Sequence, residues 1–165
     1  MFRLFRKKCT MKDNTVYAPL SGKIIPLENV PDPAFSSREI GDGVAIEPSS
    51  SILKSPVDGV VKMLFPTGHA IGIMSNRGEE ILIHIGIDTV CLEGKGFITH
   101  VKQGQCVKLG EELITFDRNV IDEAGYSCMT MVLITNLDNA YSLEFPDTET
   151  VETGGKLIHI YEKAV

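Results

Sequence analysis

Between Gly78 and Val90 the chain reads Gly-Glu-Glu-Ile-Leu-Ile-His-Ile-Gly-Ile-Asp-Thr-Val. Ile81, Ile83, Ile85 and Ile87 recur at every second position, the period of a β-strand. The pattern predicts a strand over 80–87 with all four isoleucines facing a core. His84 then points the other way, on the face it shares with Leu82 and Gly86. Gly86 has no side chain, which predicts close approach of another molecule beside the imidazole. Upstream, in Thr67-Gly68-His69-Ala70-Ile71-Gly72-Ile73, His69 is in phase with Ile71 and Ile73.

The same rhythm continues along the chain. Short apolar runs predict strands at 44–47, 59–65, 71–75, 96–100, 106–107, 113–117, 130–134 and 157–161. Turn markers recur about every ten residues, among them Gly41-Asp42-Gly43, Asp58-Gly59, Arg77-Gly78, Gly94-Lys95-Gly96 and Gly154-Gly155. Such spacing predicts an all-β fold, an antiparallel β-sandwich or flattened barrel. One or two short helical turns are expected. Asp32 and Pro33 have the chemistry of an N-cap and a first helical residue for 33–38, and Gly125 that of a C-cap for 119–124.

A faint repeat links Ala18-Pro19-Leu20-Ser21-Gly22-Lys23-Ile24-Ile25 to Ser55-Pro56-Val57-Asp58-Gly59-Val60-Val61-Lys62. A second links Val101-Lys102-Gln103-Gly104 to Val151-Glu152-Thr153-Gly154. Both predict related turns in a pseudo-symmetric sandwich.

The chain has 165 residues, 43% hydrophobic and 23% charged, enough for one domain with a sizeable core. A net charge of −6 argues against nucleic acid as a partner. Residues 1–15 read as a flexible basic tail, with Arg3, Arg6, Lys7 and Lys8 among Phe2, Leu4 and Phe5. At most that tail would touch a membrane surface. The domain itself is expected over 16–165. No apolar run is long enough to span a bilayer. Cys9, Cys91, Cys106 and Cys128 form no Cys-x-x-Cys, which fits a reduced, cytoplasmic setting. The last three lie in apolar runs and are expected to be buried. Starting with Met and ending at Val165, the chain reads as free-standing.

On the residues alone, His84 and His69 admit a bland reading as satisfied histidines and three chemical ones. A metal site lacks a third obvious ligand. Acyl chemistry lacks a Gly-x-Ser-x-Gly elbow and a cysteine signature. Covalent phosphoryl transfer on histidine needs a neutral imidazole, an open approach and nearby donors, while the absence of a phosphate-binding glycine loop disfavours ATP as the direct donor. His100 and His159 lie in strand patterns without a second polar group nearby.

The run from Gly78 to Val90 resembles the phosphohistidine signature of the glucose-type IIA components of the bacterial phosphoenolpyruvate-dependent sugar phosphotransferase system. The resemblance extends over nearly the whole chain from Val16. It includes Tyr17-Ala18-Pro19-Leu20-Ser21-Gly22, Val30-Pro31-Asp32-Pro33-Ala34-Phe35, Ser55-Pro56-Val57-Asp58-Gly59 and Gly94-Lys95-Gly96-Phe97. It implies a phosphoryl carrier, a phosphotransferase component that takes its group from the small carrier HPr. The group passes on to a cysteine of the IIB component of a sugar permease. No cofactor and no metal are implied.

By motif position the resemblance makes His84 the phosphorylated residue, through Nε2, with Nδ1–H held by the Gly86 carbonyl. His69 would donate to the phosphoryl oxygens, and Thr67 would orient His69. Asp32 and Asp88 match acidic residues flanking the site. On their own chemistry they read equally as a helix cap and a turn residue. Phe35, Ile40, Phe65, Leu82 and Val90 match an apolar docking ring, where the plain alternative is core. Ala34 and Ile40 vary slightly from the family's aliphatic pattern. Phosphorylation-dependent binding of regulatory targets is compatible with the same face. The competing class is a lipoyl- or biotin-type carrier module, suggested by the look of 104–113. It needs a lysine in a tight hairpin, and Val61-Lys62-Met63 lacks the turn.

Overall fold

A computed structural model of the protein describes residues 14–164. Among the described residues, fourteen strands and two short helices make up the regular structure, along with two 3-10 turns. The first strands are β1 (Thr15–Tyr17), β2 (Gly22–Pro26), β3 (Asp42–Pro48), β4 (Ile52–Lys54) and β5 (Gly59–Leu64). After them come β6 (Ala70–Ser75), β7 (Glu80–Ile85), β8 (Phe97–Thr99), β9 (Cys106–Val107) and β10 (Glu112–Phe116). The last are β11 (Thr130–Ile134), β12 (Tyr141–Glu144), β13 (Thr150–Val151) and β14 (Lys156–Glu162). Eight strands form one sheet in the order β13-β2-β3-β11-β7-β6-β5-β9. Two three-stranded sheets, β1-β14-β12 and β4-β10-β8, complete the sandwich. Every pairing is antiparallel.

Alternation explains the layers. Ile81, Ile83 and Ile85 of β7 join Val132 and Ile134 of β11 and Val44 and Ile46 of β3 in the main core. There they meet Leu113, Ile114 and Phe116 of β10 and Leu157 and Ile158 of β14 from the smaller sheets. The opposite face of the large sheet is not bare. Ala45, Met131 and Leu133 form a second, smaller core there with Leu27, Val30 and Phe35. Leu27 comes from the 3-10 turn Leu27–Asn29, Val30 follows that turn directly, and Phe35 comes from helix α1 (Pro33–Ser36). Asp32 caps α1, its carboxylate accepting from Ala34 N at 3.0 Å, and Pro33 is its first residue. The second helix, α2, spans Arg118–Glu123 and is capped by Asp117.

Three expectations need correction. Strand β7 ends at Ile85, so Ile87 escapes the alternation and packs on the second core rather than the first. The three cysteines among the described residues are not buried: Cys91 and Cys106 are exposed and Cys128 is half-buried. Val107 takes the inward position of the two-residue β9, which turns Cys106 outward. Helix α1 stops two residues short of the expected span. Arg38 there adopts a left-handed φ of 62°, pairing with Glu28 at 2.8 Å and Asp42 at 3.0 Å. The basic tail falls almost wholly outside the described residues, although Thr15 already belongs to β1.

The repeat has a structural counterpart. The residue preceding each copy bonds to the other copy: Tyr17 N donates to Pro56 O at 3.1 Å and Lys54 N to Pro19 O at 3.0 Å. Gly22 and Gly59 stand at matching strand starts. A Cβ on Gly22 would come 2.1 Å from Glu47 O, and one on Gly59 would come 2.2 Å from Met74 O. In both places the neighbouring strand passes too close for any side chain.

Candidate functional site

His84 lies at the centre of the large sheet. In register it stands between Met131 of β11 and Ala70 of β6, and Met131 is in turn paired with Ala45. The small side chain of Ala70 leaves the imidazole room on one side. On the other side the Phe35 ring lies 5.0 Å from it, centre to centre and tilted by 57°. Phe35 is 5% exposed, so it supports the site from the second core and is not an exposed member of a docking ring.

Gly86 does not serve as an opening for a partner. Its backbone turns at φ 78°, and a Cβ there would meet Thr89 Cγ2 at 2.3 Å and Ser127 O at 2.7 Å. The missing side chain instead lets the chain reverse so that the Gly86 carbonyl faces back. That carbonyl accepts from His84 Nδ1 at 2.7 Å. An Nδ1–H donating there fixes one tautomer and leaves the Nε2 lone pair free.

His69 also departs from its expected phase. Alternation from Ile71 and Ile73 turns it toward the main core. Yet its ring lies 5.0 Å from that of His84, edge on at 77°. The residue precedes Ala70, the first residue of β6, so alternation no longer governs its direction. Its carbonyl accepts from Ile85 N at 2.7 Å, which ties the backbones of the two histidine segments together. Thr67 Oγ1 lies 2.5 Å from His69 Nδ1, and the Phe65 ring lies 5.1 Å from the His69 ring.

Electrostatics keep both rings uncharged near neutrality. Burial, with a smaller contribution from the neighbouring His84, pushes His69 down to about 4. Burial also lowers His84, against the opposing pull of the Gly86 carbonyl, Asp32 and Asp88. Both acidic residues therefore act on His84, although Asp32 is also the α1 cap. Phe65, 36% exposed, and Val90, 50% exposed, present apolar surface. Ile40 is also exposed, on the loop after α1, whereas Leu82 is half-buried against the second core.

A separate cleft of about 970 Å³ is lined by Glu47, Ser51, Ile98, Arg118, Asp122 and Cys128. Arg118 is bonded to Ser51 Oγ at 3.2 Å and Pro48 O at 3.1 Å, and neither histidine lines this space. Among the described residues no three His, Cys, Asp or Glu side chains converge as a metal set would.

Residues 14–140 match the family described as phosphoenolpyruvate-dependent sugar phosphotransferase system, EIIA 1. The chain belongs to this family. Glucose-type EIIA proteins are phosphotransferase components that transfer phosphoryl groups in sugar uptake. The chain is 48% identical over 142 residues to the PTS system glucose-specific EIIA component of Bacillus cereus, covering 86% of each. It is 50% identical over 141 residues to the corresponding component of Oceanobacillus iheyensis, covering 84% of this chain and 86% of that one. A β-glucoside-specific EIIBCA component of Halalkalibacterium halodurans is 44% identical over 151 residues. The match takes 92% of this chain but only 24% of that longer protein. Among solved structures, the glucose permease IIA from Mycoplasma capricolum superimposes with a TM-score of 0.83 at 39% identity, covering 89% of this chain and 95% of that one.

Within this EIIA chain, sequence reasoning missed the groups that hold the Gly86 turn from outside. Gly86 N donates to Met129 O at 3.0 Å and Ile87 N to Ser127 O at 3.1 Å. The acceptors are backbone carbonyls on the approach to β11, and no side-chain pattern announces a carbonyl. No helix among the described residues is long and apolar enough to cross a membrane.

Proposed function

We propose that this chain carries a phosphoryl group on His84 Nε2, receiving it from phospho-HPr and delivering it to a cysteine of the IIB component of a sugar permease. The Nε2 lone pair attacks phosphorus as the bond to the donor histidine nitrogen breaks, and that nitrogen keeps the electron pair. In the second transfer the IIB thiolate attacks and the pair returns to Nε2. The observation that carries this reading is the 2.7 Å contact between His84 Nδ1 and the Gly86 carbonyl, on an imidazole that burial keeps neutral. A neutral ring with its proton held at Nδ1 is a nucleophile at Nε2.

Thr67 donating its hydroxyl to His69 Nδ1 leaves Nε2–H of His69 as a donor to the phosphoryl oxygens, where charge builds in the transition state. Thr67, His69 and His84 form the chemical group. Asp32, Phe65, Asp88 and Val90 form the docking rim, with Ile40 beside it and Phe35 and Leu82 supporting from beneath. The module begins with Thr15 of β1, one residue before the expected 16–165, follows the basic tail and works in the cytoplasm. Added phosphoryl charge at a rim already edged by Asp32 and Asp88 gives regulatory partners two distinct surfaces to read.

The test is incubation with phosphoenolpyruvate, the system's first enzyme and HPr, followed by mapping of an acid-labile, base-stable phosphate. His84→Gln keeps polar bulk and removes the nucleophilic nitrogen, so phosphate uptake should vanish. Normal uptake by the variant would refute the assignment.

A further inference from the structure

The two peptide groups flanking Gly86 are held from three directions. Thr89, fully buried in the 3-10 turn Thr89–Leu92, donates its hydroxyl to the carbonyl of Ile85. Gly86 N donates to Met129 O, and Ile87 N donates to Ser127 O. The first two bonds hold opposite ends of the Ile85–Gly86 peptide, and the third holds the amide end of the next. What remains is the Gly86 carbonyl, aimed at His84 Nδ1. The Thr89 methyl fills the notch in front of the glycine, where a Cβ would come 2.3 Å from Cγ2.

We infer that Thr89 is a positioning residue for His84, its hydroxyl setting the direction of the Gly86 carbonyl that fixes the imidazole tautomer. Threonine carries hydroxyl and methyl on one Cβ. Valine keeps the methyl and loses the donor. Serine keeps the donor and loses the methyl. Without the donor the Ile85–Gly86 peptide loses one of its two restraints, and rotation of that unit shifts the acceptor under Nδ1. The imidazole then samples the other tautomer, in which Nε2 carries the proton and cannot attack. The catalytic meaning of this role rests on the reading of His84 as phosphoryl carrier, whereas the effect on the tautomer does not.

The experiment reads the two effects separately. Histidine ring ¹⁵N spectra of the unphosphorylated protein report which nitrogen of His84 holds the proton. Single-turnover phosphate uptake from phospho-HPr reports the transfer. Wild type should show Nδ1 protonated. Thr89→Val should show a mixed tautomer and uptake slower by roughly three- to tenfold, the scale of one lost neutral hydrogen bond. Thr89→Ser should restore the wild-type spectrum and most of the rate. Should Thr89→Val fail to fold, Thr89→Ala against Thr89→Ser makes the same comparison of hydroxyl lost and hydroxyl kept. An unchanged His84 spectrum in the variants without the hydroxyl overturns the inference, as does a serine variant no better than they are. Absence of uptake by the wild type would instead refute the carrier reading, with the spectra still deciding the role of Thr89.

Discussion

Acidification should destabilise this protein through His69 well before its carboxylates titrate. His69 is 3% exposed, and burial brings its folded value down to about 4 from an ordinary 6.5. Between those two values the unfolded chain binds a proton that the folded chain refuses. Stability is therefore fully present above about pH 6.5 and falls as pH drops toward 4. Each pH unit of that window is worth about 1.4 kcal/mol, so the whole is roughly 3 kcal/mol, of which about 2 is lost between pH 7 and 5. His84, lowered for the same reason, adds to the loss in the same direction. Glu28 and Glu80 are held below the usual carboxylate value of 4.5, so their contribution disappears only at lower pH. Urea unfolding at pH 7, 6 and 5 on wild type and His69→Gln measures the effect. Glutamine cannot charge, so the variant should lose about 2 kcal/mol less than wild type over that range. Parallel stability curves for the two proteins would show that His69 titrates alike in the folded and unfolded chains and sink the argument.

Val90→Lys should leave the melting temperature within about 2 °C of wild type, since half of Val90 already meets solvent. Titration with HPr should nonetheless weaken by about tenfold if this residue belongs to the docking rim. Unaltered HPr affinity would remove Val90 from that rim. Gly86→Ala places a Cβ against Thr89 and Ser127 O at a φ of 78°, so thermal unfolding should show a loss of about 1–3 kcal/mol. A variant as stable as wild type would mean that the turn accommodates a side chain and that its close packing has been misjudged.

Strand β7 was legible because six residues alternate cleanly and the isoleucines reach the main core. Strands β9 and β11 appear with the expected bounds, and β3, β5, β6, β8, β10 and β14 within one or two residues of them. Five strands carried no readable period. Three of them, β1, β4 and β13, have only two or three residues. Strand β2 opens on Gly22 and closes on Pro26, both turn residues by chemistry, and β12 is only partly covered. The second core was invisible for a different reason. It depends on the segment around Leu27 and Phe35 folding back over the sheet, a long-range contact that period-two patterns do not encode. The same blindness made Gly86 look like a space for a partner, when the space is taken by a threonine three residues on. His69 misled because its phase extends a strand that has not yet begun. The sulfurs misled through composition, since Cys91 has apolar neighbours in sequence but sits in a turn at the surface.

On the reading of His84 as phosphoryl carrier, with His69 edge-on to it at 5.0 Å, donor and recipient would share a single doorway. A relay with one doorway must let its donor leave before its recipient arrives. Throughput of such a relay would then depend on how quickly each visitor departs. Tightening either complex would slow the traffic it was meant to speed, because tighter binding within one interface is mostly slower release. Selection for throughput therefore favours short-lived encounters on a patch compact enough to be vacated in one step.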